Sequence, residues 1–345
     1  MQQLFSAFFA SLPGEIGCVQ ITAENVAEYA RQRGLIPQRE HPRVEPLSGG
    51  VACGVFRLHA AHGPIVIKQA HERFAVKDEW LVDPRRNIIE AKFQQLARQA
   101  LGAQHVPEVL DVDEEIFAFT MASAPLDAQI WKAMMLAGDV RPALGRQCAE
   151  LLAKLHAIPL DAPRLPVEIR DPTLFYQQRI EPYFEFTAKK HPDVPAHKAL
   201  AKALTAQRCV THGDYTPKNL LVADETLILL DYEVVHIGMG SFDIASILNH
   251  LTLKMLHLPK NRAALRETLG AFLDELFFRG IKLHALCLPL LGALMLARVD
   301  GKSPAEYLRE TDKPRIREAG EKLLRGEYAS YEDFINDVNW PGSRP

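Results

Sequence analysis

The chain has 345 residues, 48% of them hydrophobic, and a formal net charge of -3 at pH 7. That length is enough for two lobes, each with a core of its own. The charge is nearly balanced and no segment is polybasic, so neither nucleic acid nor an anionic membrane is expected as a partner. A small molecule is the expected partner, and a homodimer stays open.

Cysteine usage and hydropathy indicate the compartment. The five cysteines are scattered, odd in number and never spaced as C-x-x-C, which argues against a disulfide framework and a zinc site. The longest apolar run, 286–297, contains Pro289 and is shorter than the ~20 residues that span a bilayer, so it predicts a buried helix. Residues 4–9 resemble a signal-peptide core but follow no basic residue, and their spacing favours a short amphipathic helix. We expect a cytoplasmic protein.

Residues 1–121 are predicted to form a small N-lobe, which consists of a helical extension over residues 1–40 followed by an antiparallel sheet with one helix. A glycine turn separates the first two strands, and the helix carries one apolar stripe. The Ala-Ser-Ala-Pro sequence that begins at Ala122 ends this pattern and marks a hinge. The predicted elements are strand, glycine turn and strand over 44–58, a strand over 65–68, a helix over 85–99, and strands over 109–112 and 116–121.

Residues 122–345 are predicted to form a large, mostly helical C-lobe. The segment 159–195 is rich in proline and aromatic residues, and the sequence gives no prediction of its shape. The two lobes together predict an α+β fold of the protein-kinase type. The elements of the C-lobe are a helix over 143–156, short strands over 220–222 and 227–230 with a turn at Asp224, and helices from Phe242 onward.

The stretch His212–Asn219 has the spacing H-x-D-x-x-x-x-N of a catalytic loop for phosphoryl transfer, and Asp231 lies beyond the next hairpin, where a metal-binding Asp is expected. This chemistry needs a carboxylate to orient the attacking hydroxyl and further oxygen ligands to hold Mg²⁺ on the nucleotide phosphates. We predict Asp214 as the catalytic residue and Asn219 and Asp231 as metal ligands. In the alternative interpretation, Asp214 caps a turn and Asn219 caps a helix, but Asp231 then has no role.

Glu233 is predicted as a further metal ligand. In an extended segment, residues two apart point to the same side, so Asp231 and Glu233 would face one site. Mg²⁺ prefers oxygen ligands and keeps several waters, so the contact is direct or through water. The alternative is that Glu233 pairs with His236 or Lys218.

Lys68 ends an apolar strand, and from there it can bind nucleotide phosphates as a point charge. A single lysine on a strand is usually a surface residue whose stem covers apolar surface. The glycine turn upstream and Glu90 on the striped helix favour the phosphate role, with Glu90 as the salt-bridge partner and Glu79 as the alternative.

Backbone groups are predicted to complete the nucleotide site. The turn Ser48-Gly49-Gly50 can cradle phosphates with its N–H groups, although Gly-Gly is also an ordinary hairpin turn. The backbone of the 119–123 hinge, with Phe119 and Met121, is expected to receive the adenine. Outside the nucleotide site, Asp243 is interpreted as a helix N-terminal carboxylate that braces the catalytic loop, and His212 as a structural residue that bonds backbone near Asp231.

These motifs resemble, as a set, the aminoglycoside phosphotransferase and choline kinase superfamily of protein-kinase-like folds over roughly residues 44–255. A narrower similarity is to methylthioribose kinase. The resemblance implies ATP and Mg²⁺ as cofactors. The superfamily motifs are the Ser-Gly-Gly turn, Lys68, L-A-K-L-H at 152–156, H-G-D-x-x-x-x-N, and D-x-E followed by F-D-I-A. The narrower set is Lys68-Gln69-Ala70, a loop with Trp80, Arg85, Arg86, Glu90, and Asp231-Tyr232-Glu233.

Two positions depart from protein kinases. Gly213 replaces the arginine of H-R-D, and Glu233 replaces the glycine of D-F-G. Because that arginine reads a phosphorylated activation loop, its absence predicts that no such control operates.

The predicted function is ATP- and Mg²⁺-dependent transfer of a phosphoryl group to a hydroxyl of a small molecule. The segment 298–325 carries eight Lys or Arg against six Asp or Glu, which favours a neutral sugar or polyol such as methylthioribose over a polycationic aminoglycoside. An aminoglycoside- or choline-type phosphotransferase is the alternative. A catalytically silent pseudokinase that binds nucleotide or a partner is the alternative of another class, and the retained Lys68, Asp214, Asn219 and Asp231 argue against it.

Overall fold

The computed structural model describes residues 20–47, 53–71, 82–193 and 196–337. The α-helices are α1 Val26–Gln32, α2 Arg86–Leu101, α3 Trp131–Leu136, α4 Ala143–His156, α5 Thr173–Phe175, α6 Phe186–Lys190, α7 Ala196–Leu204, α8 Ser241–His257, α9 Arg262–Phe278, α10 Cys287–Asp300, α11 Lys313–Leu324 and α12 Tyr331–Asp337. The strands are β1 Arg43–Pro46, β2 Cys53–His59, β3 Ile65–Ala70, β4 Val109–Asp113, β5 Ala118–Ala122, β6 Gln129–Ile130, β7 Cys209–Thr211, β8 Leu220–Ala223, β9 Thr226–Leu229 and β10 His236–Gly238.

The N-lobe contains a five-stranded antiparallel sheet in the order β1-β2-β3-β5-β4. The central strand β3 is buried along its whole length because a helix covers each face. Ile67 packs with α1 in one apolar cluster, and the next residue, Lys68, points to the opposite face and reaches α2. The α+β, two-lobed fold predicted from the sequence is confirmed.

Most predicted strand bounds differ from the observed ones by one or two residues, and two of the differences concern strands of the N-lobe sheet. β3 runs on to Ala70, two residues beyond its predicted end. β5 begins at Ala118 because Phe117 has a left-handed φ of 53°, which belongs to a turn.

Helix α2 connects the two lobes. Phe93, Ala97 and Leu101 lie in the large hydrophobic core that the C-lobe helices form. At the other end of the helix, the Asn87 amide donates hydrogen bonds to the carbonyl oxygens of Lys68 (3.0 Å) and Phe117 (2.7 Å). A helix that is fixed to both the sheet and the large core also fixes the position of any side chain it carries between them.

The C-lobe core is built around α8 and α10. Every residue of α8 from Ser241 to Leu256 is buried. The apolar run 286–297 forms most of α10, so the buried helix predicted there is confirmed. Pro289 lies in its first turn, where a missing N–H costs no helical hydrogen bond. Among the described residues, no helix is both long and apolar enough to cross a bilayer.

The proline- and aromatic-rich segment 159–195 is mostly helical where it is described. A 3-10 turn covers Val167–Arg170, and a π-helix, Tyr176–Glu185, joins α5 to α6. The π-helix contains Pro182 and buries Arg179 and Tyr183. This segment therefore brings a charged side chain into the C-lobe interior.

The predicted lobe boundary after residue 121 falls just before the end of β5 at Ala122. The division into 1–121 and 122–345 stays a prediction. Of the predicted extension 1–40, the structure describes residues from 20 onward, where Val26 and Ala30 of α1 pack in the sheet cluster. The helix predicted at 4–9 lies outside the described residues.

Candidate active site

Two loops meet at the site because the strands that carry them are paired. β7 leads into the loop His212–Asn219, and β10 follows the loop 230–235; the two strands pair antiparallel, with His236 opposite Thr211. At the other end, the Leu230 N–H donates to the Asn219 carbonyl at 2.9 Å. The motif predicted to be catalytic and the motif predicted to bind a metal are therefore adjacent.

Asp243, at the start of α8, braces the catalytic loop as interpreted from the sequence. Its carboxylate accepts the backbone N–H groups of His212 (2.8 Å) and Gly213 (2.9 Å) and lies 3.0 Å from His156 Nε2. Burial lowers the pKa of His212, so its ring is neutral, and Nε2 donates to the Leu230 carbonyl (3.2 Å) while Nδ1 accepts the Asp214 N–H (3.2 Å). His212 thus connects the two loops, and its role here is structural.

Gly213 occupies a position that has no room for a side chain. Its φ is 78°, and an added Cβ would lie 2.5 Å from the carbonyl oxygen of Val234 in the neighbouring loop. Both the left-handed backbone and the close approach require glycine. In this chain, an arginine at the H-R-D position would separate the two loops.

Asp214 is a buried carboxylate surrounded by donors. Its Oδ2 lies 3.0 Å from Arg179 Nη2 and 2.9 Å from Lys218 Nζ, and it accepts the Asn219 amide at 2.9 Å. Burial would raise the pKa of this carboxyl, but Arg179 and Lys218 outweigh burial and hold the pKa well below its usual range. Asp214 is therefore ionised and acts as an acceptor of hydrogen bonds.

Arg179 is a site residue that the sequence analysis did not predict. Besides contacting Asp214, it donates from Nε to the Gly213 carbonyl at 2.8 Å, so it holds both the loop backbone and the carboxylate. It comes from the π-helix in the segment 159–195, where no motif or periodicity pointed to it.

Lys68 forms the ion pair with Glu90 that was predicted, and it also contacts Asp231. Its Nζ lies 2.7 Å from Glu90 Oε2 and 2.6 Å from Asp231 Oδ1. Burial opposes the charge of Lys68, but the two carboxylates outweigh burial and raise its pKa well above the usual value. Glu79, the alternative partner, lies outside the described residues.

Glu233 lies close to Asp231, but the backbone between them differs from the predicted extended segment. The segment is not extended, because Asp231 has a left-handed φ of 69° and a turn follows it. Nor does Glu233 pair with His236 or Lys218; its Oε2 accepts the Arg86 Nε–H at 3.0 Å. The turn still brings the carboxylates of Glu90, Asp231 and Glu233 within 4.8 Å of one another.

This group of carboxylates has the composition of a site for a hard cation. Burial raises the pKa of Glu90; Lys68 opposes this shift, and Asp231 and Glu233 add to it. Because the Asn219 NH₂ group donates to Asp214, its carbonyl oxygen remains as an acceptor. All these candidate ligand atoms are oxygens, the atoms that Mg²⁺ prefers.

The other predicted nucleotide contacts are the turn at residues 48–50 and the hinge at residues 119–123. Ser48, Gly49 and Gly50 lie outside the described residues. Phe119 and Met121 lie in β5, where they pair with β3 on one side and β4 on the other, and Phe119 is buried. The adenine contact at 119–123 stays a prediction.

The sequence model of the phosphotransferase enzyme family matches residues 43–276, about two thirds of the chain. The chain belongs to the phosphotransferase enzyme family. The resemblance to the aminoglycoside phosphotransferase and choline kinase superfamily is thereby confirmed, and the protein is a phosphotransferase by family.

Individual proteins are similar to this chain in sequence or in fold. A methylthioribose kinase of Enterobacter sp. (strain 638) is 25% identical over 293 residues, covering 74% of this chain and 73% of the relative. A choline/ethanolamine kinase family protein from Mesorhizobium loti has a similar structure, with a TM-score of 0.51 at 17% identity over 90% of this chain and 98% of its own. A spectinomycin phosphotransferase solved with ADP and spectinomycin gives a TM-score of 0.50 at 12% identity, over 91% and 93%.

We expect Gly213→Ala to lower the free energy of unfolding by about 1–3 kcal/mol, the cost of a strained backbone at a crowded position. Urea denaturation measures this change. Gly270→Ala is the matched control, since Gly270 lies inside α9 with nothing within 4 Å of an added Cβ, and it should be neutral or stabilising by up to ~1 kcal/mol. Unaltered stability of Gly213→Ala would show that the loops tolerate a side chain.

We expect Glu233→Gln to raise the Mg²⁺ concentration for half-maximal activity by about 10-fold or more, the usual cost of weakening a metal site. Glu225→Gln is the control; it makes the same change of charge on the β8–β9 turn, where the side chain is 72% exposed. A normal Mg²⁺ titration with reduced thermal stability would instead restrict Glu233 to its ion pair with Arg86.

Proposed function

We propose that the protein transfers the γ-phosphoryl group of ATP, with Mg²⁺, to a hydroxyl of a small molecule. The observation that supports this best is the juxtaposition of two charge arrangements across adjoining loops. Lys68 lies between Glu90 and Asp231, and Asp214 lies beside Asn219. The first suits phosphates and their cation, and the second suits an attacking hydroxyl.

The nucleotide end of the site uses Lys68 as a point charge for the phosphates. Glu90 keeps the Lys68 ammonium in place. The pKa of Lys68 is raised, so its positive charge is present at neutral pH. Asn219, Asp231 and Glu233 are the residues that would hold Mg²⁺. When bound, the ion neutralises phosphate charge and so favours transfer.

Asp214 receives the hydroxyl of the acceptor. A carboxylate with so low a pKa is a weak base, so it orients the hydroxyl by accepting its hydrogen bond and does not remove the proton early. That role suits phosphoryl transfer, whose transition state is loose and gains most from positioning. Arg179 and Asn219 hold the carboxylate in that orientation.

We further propose that the acceptor is a sugar or polyol. The relative named methylthioribose kinase supports this reading, and the cations around Asp214 disfavour a polycationic acceptor. Arg85 contacts Asp83 and Arg86 contacts Glu233, so neither arginine favours one class of acceptor over another. Of the basic segment 298–325, the side chain that approaches Asp214 closely enough to lower its pKa is Arg298.

Asp214→Asn should reduce kcat by at least ~100-fold, the scale of a positioned acid–base group, and leave Mg·ATP affinity nearly unchanged. Asp224→Asn makes the same chemical change in the exposed β8–β9 turn, where φ is 51° and asparagine is well tolerated. It should keep wild-type turnover. A near-normal kcat for Asp214→Asn would refute the catalytic assignment.

A coupled ADP-release screen should give a higher kcat/KM for methylthioribose or a related sugar than for kanamycin. Cations next to Asp214 repel a polycation and tolerate a neutral polyol. If an aminoglycoside gave the highest value, the sugar reading would fail and the phosphotransferase reading would stand. Mg·ATP binding without product from any acceptor would favour the pseudokinase.

A further inference from the structure

Five basic side chains form a group that extends from Asp214 to Tyr307, and we call them the basic cluster. They come from five separate elements, which are α3, the π-helix, the catalytic loop, α8 and α10. The members of the basic cluster are Lys132, Arg179, Lys218, Lys254 and Arg298.

Aromatic rings and one histidine connect the members of the basic cluster. The guanidinium groups of Arg179 and Arg298 both lie over the Tyr183 ring, at 5.5 and 5.0 Å from its centroid. Arg298 Nη2 is 3.4 Å from His250 Nε2, and Lys254 donates to the His250 carbonyl at 3.4 Å. The basic cluster is therefore continuous from the catalytic carboxylate into α8.

Three members of the basic cluster form ion pairs with carboxylates, and two do not. Asp214 pairs with Arg179 and Lys218, and Glu306 pairs with Lys132. Within the described parts of the chain, Lys254 and Arg298 have no carboxylate within ion-pair distance, although Lys254 is fully buried and Arg298 is only 9% exposed. Burial of an unpaired charge is costly. A bound anion would compensate these two cations, which both contact one histidine.

The polar atoms around these two cations are also incompletely bonded. Arg298 Nε, His250 Nδ1 and Tyr307 Oη are buried and have no hydrogen-bond partner. Tyr307 lies next to Lys254, whose Nζ is 5.2 Å from the ring centroid. Thr216 Oγ1, in the catalytic loop itself, is buried and unpartnered as well. Native interiors rarely leave so many polar groups unpaired in one place, and a bound polar ligand would satisfy them.

The electrostatics of Lys254 also favour an anionic ligand. Burial, followed by the repulsion of Lys132 and Arg298, lowers the pKa of Lys254 to about 7. A negative charge placed against it would favour its protonated form and so gain an ion pair.

We propose that the acceptor is a hydroxyl compound that also carries a carboxylate or a phosphate, and that Arg298 and Lys254 bind this anionic group while Asp214 receives the hydroxyl. The inference rests on the proposed function and narrows its acceptor from sugars and polyols to their anionic derivatives. Anionic compounds should bind best, neutral polyols less well, and polycations worst.

Binding without turnover tests the proposal directly. Isothermal titration calorimetry on the full chain, saturated with Mg²⁺ and AMP-PNP so that the nucleotide site is filled, compares D-gluconate with D-glucitol and D-ribose 5-phosphate with D-ribose. We expect at least one anion to bind about 10-fold or more tightly than its neutral partner, the ratio of one charge-assisted hydrogen bond. The pair of compounds with the larger affinity ratio shows whether the site prefers a carboxylate or a phosphate.

Two variants test whether Arg298 and Lys254 cause the preference for the anion. Arg298→Gln and Lys254→Met should each reduce the preference for the anion by about 10-fold. The controls Arg325→Gln and Lys260→Met make the same changes at exposed positions and should keep the preference. If one of the cluster variants fails to fold by circular dichroism, the other still provides the test.

The outcomes separate this inference from the proposed function. Equal affinities within both pairs, or a preference that survives both cluster variants, would overturn the anionic site. ADP release with neutral acceptors only would also overturn it and would leave the phosphotransferase standing. Anion binding that depends on Arg298 and Lys254, without ADP release from any acceptor, would support the site and refute the phosphotransferase.

Discussion

The site depends on the ion pairs that Lys68 forms. Lys68 lies on the central strand β3, contacts Glu90 on α2 and contacts Asp231 in the loop after β9. A buried ammonium needs anionic partners, and removing Lys68 would leave Glu90 and Asp231 without their counter-ion. The three elements belong to different parts of the fold, so this single ion-pair group holds the sheet, the connecting helix and the loop 230–235 at a fixed separation.

Backbone conformation is the second constraint on the site. Asp231 and Gly213 both have left-handed φ angles, and the catalytic loop approaches the Val234 carbonyl too closely for a side chain. Such conformations cost free energy and persist only when their surroundings enforce them. Here Asp243 does so, by accepting two successive N–H groups of the catalytic loop.

Charge is divided into two regions on either side of Asp214. Glu90, Asp231 and Glu233 make one region negative, which suits a divalent cation and the phosphates it neutralises. The basic cluster makes the other region positive. Asp214 lies where the two regions meet, and its low pKa reflects the basic one. In the proposed reaction, the nucleotide would occupy the negative region with its cation, and the acceptor would occupy the positive one.

The sequence by itself determined the parts of the protein that depend on neighbours along the chain. The H-x-D-x-x-x-x-N spacing, Asp231 beyond the hairpin and Glu90 on a striped helix after Lys68 all follow from local pattern, because strands and helices impose fixed periods. The order of strands and helices predicted the kinase-like fold for the same reason.

Only the tertiary structure decided the partners of the buried charges. Arg179 on Asp214, Arg86 on Glu233, and the unpaired Lys254 and Arg298 come from elements that are distant in sequence. The turn at Asp231 also replaced the extended geometry expected for Glu233. A buried charge pairs with whatever group packing places within a few ångströms of it, and its electrostatic energy depends on that distance and not on sequence separation.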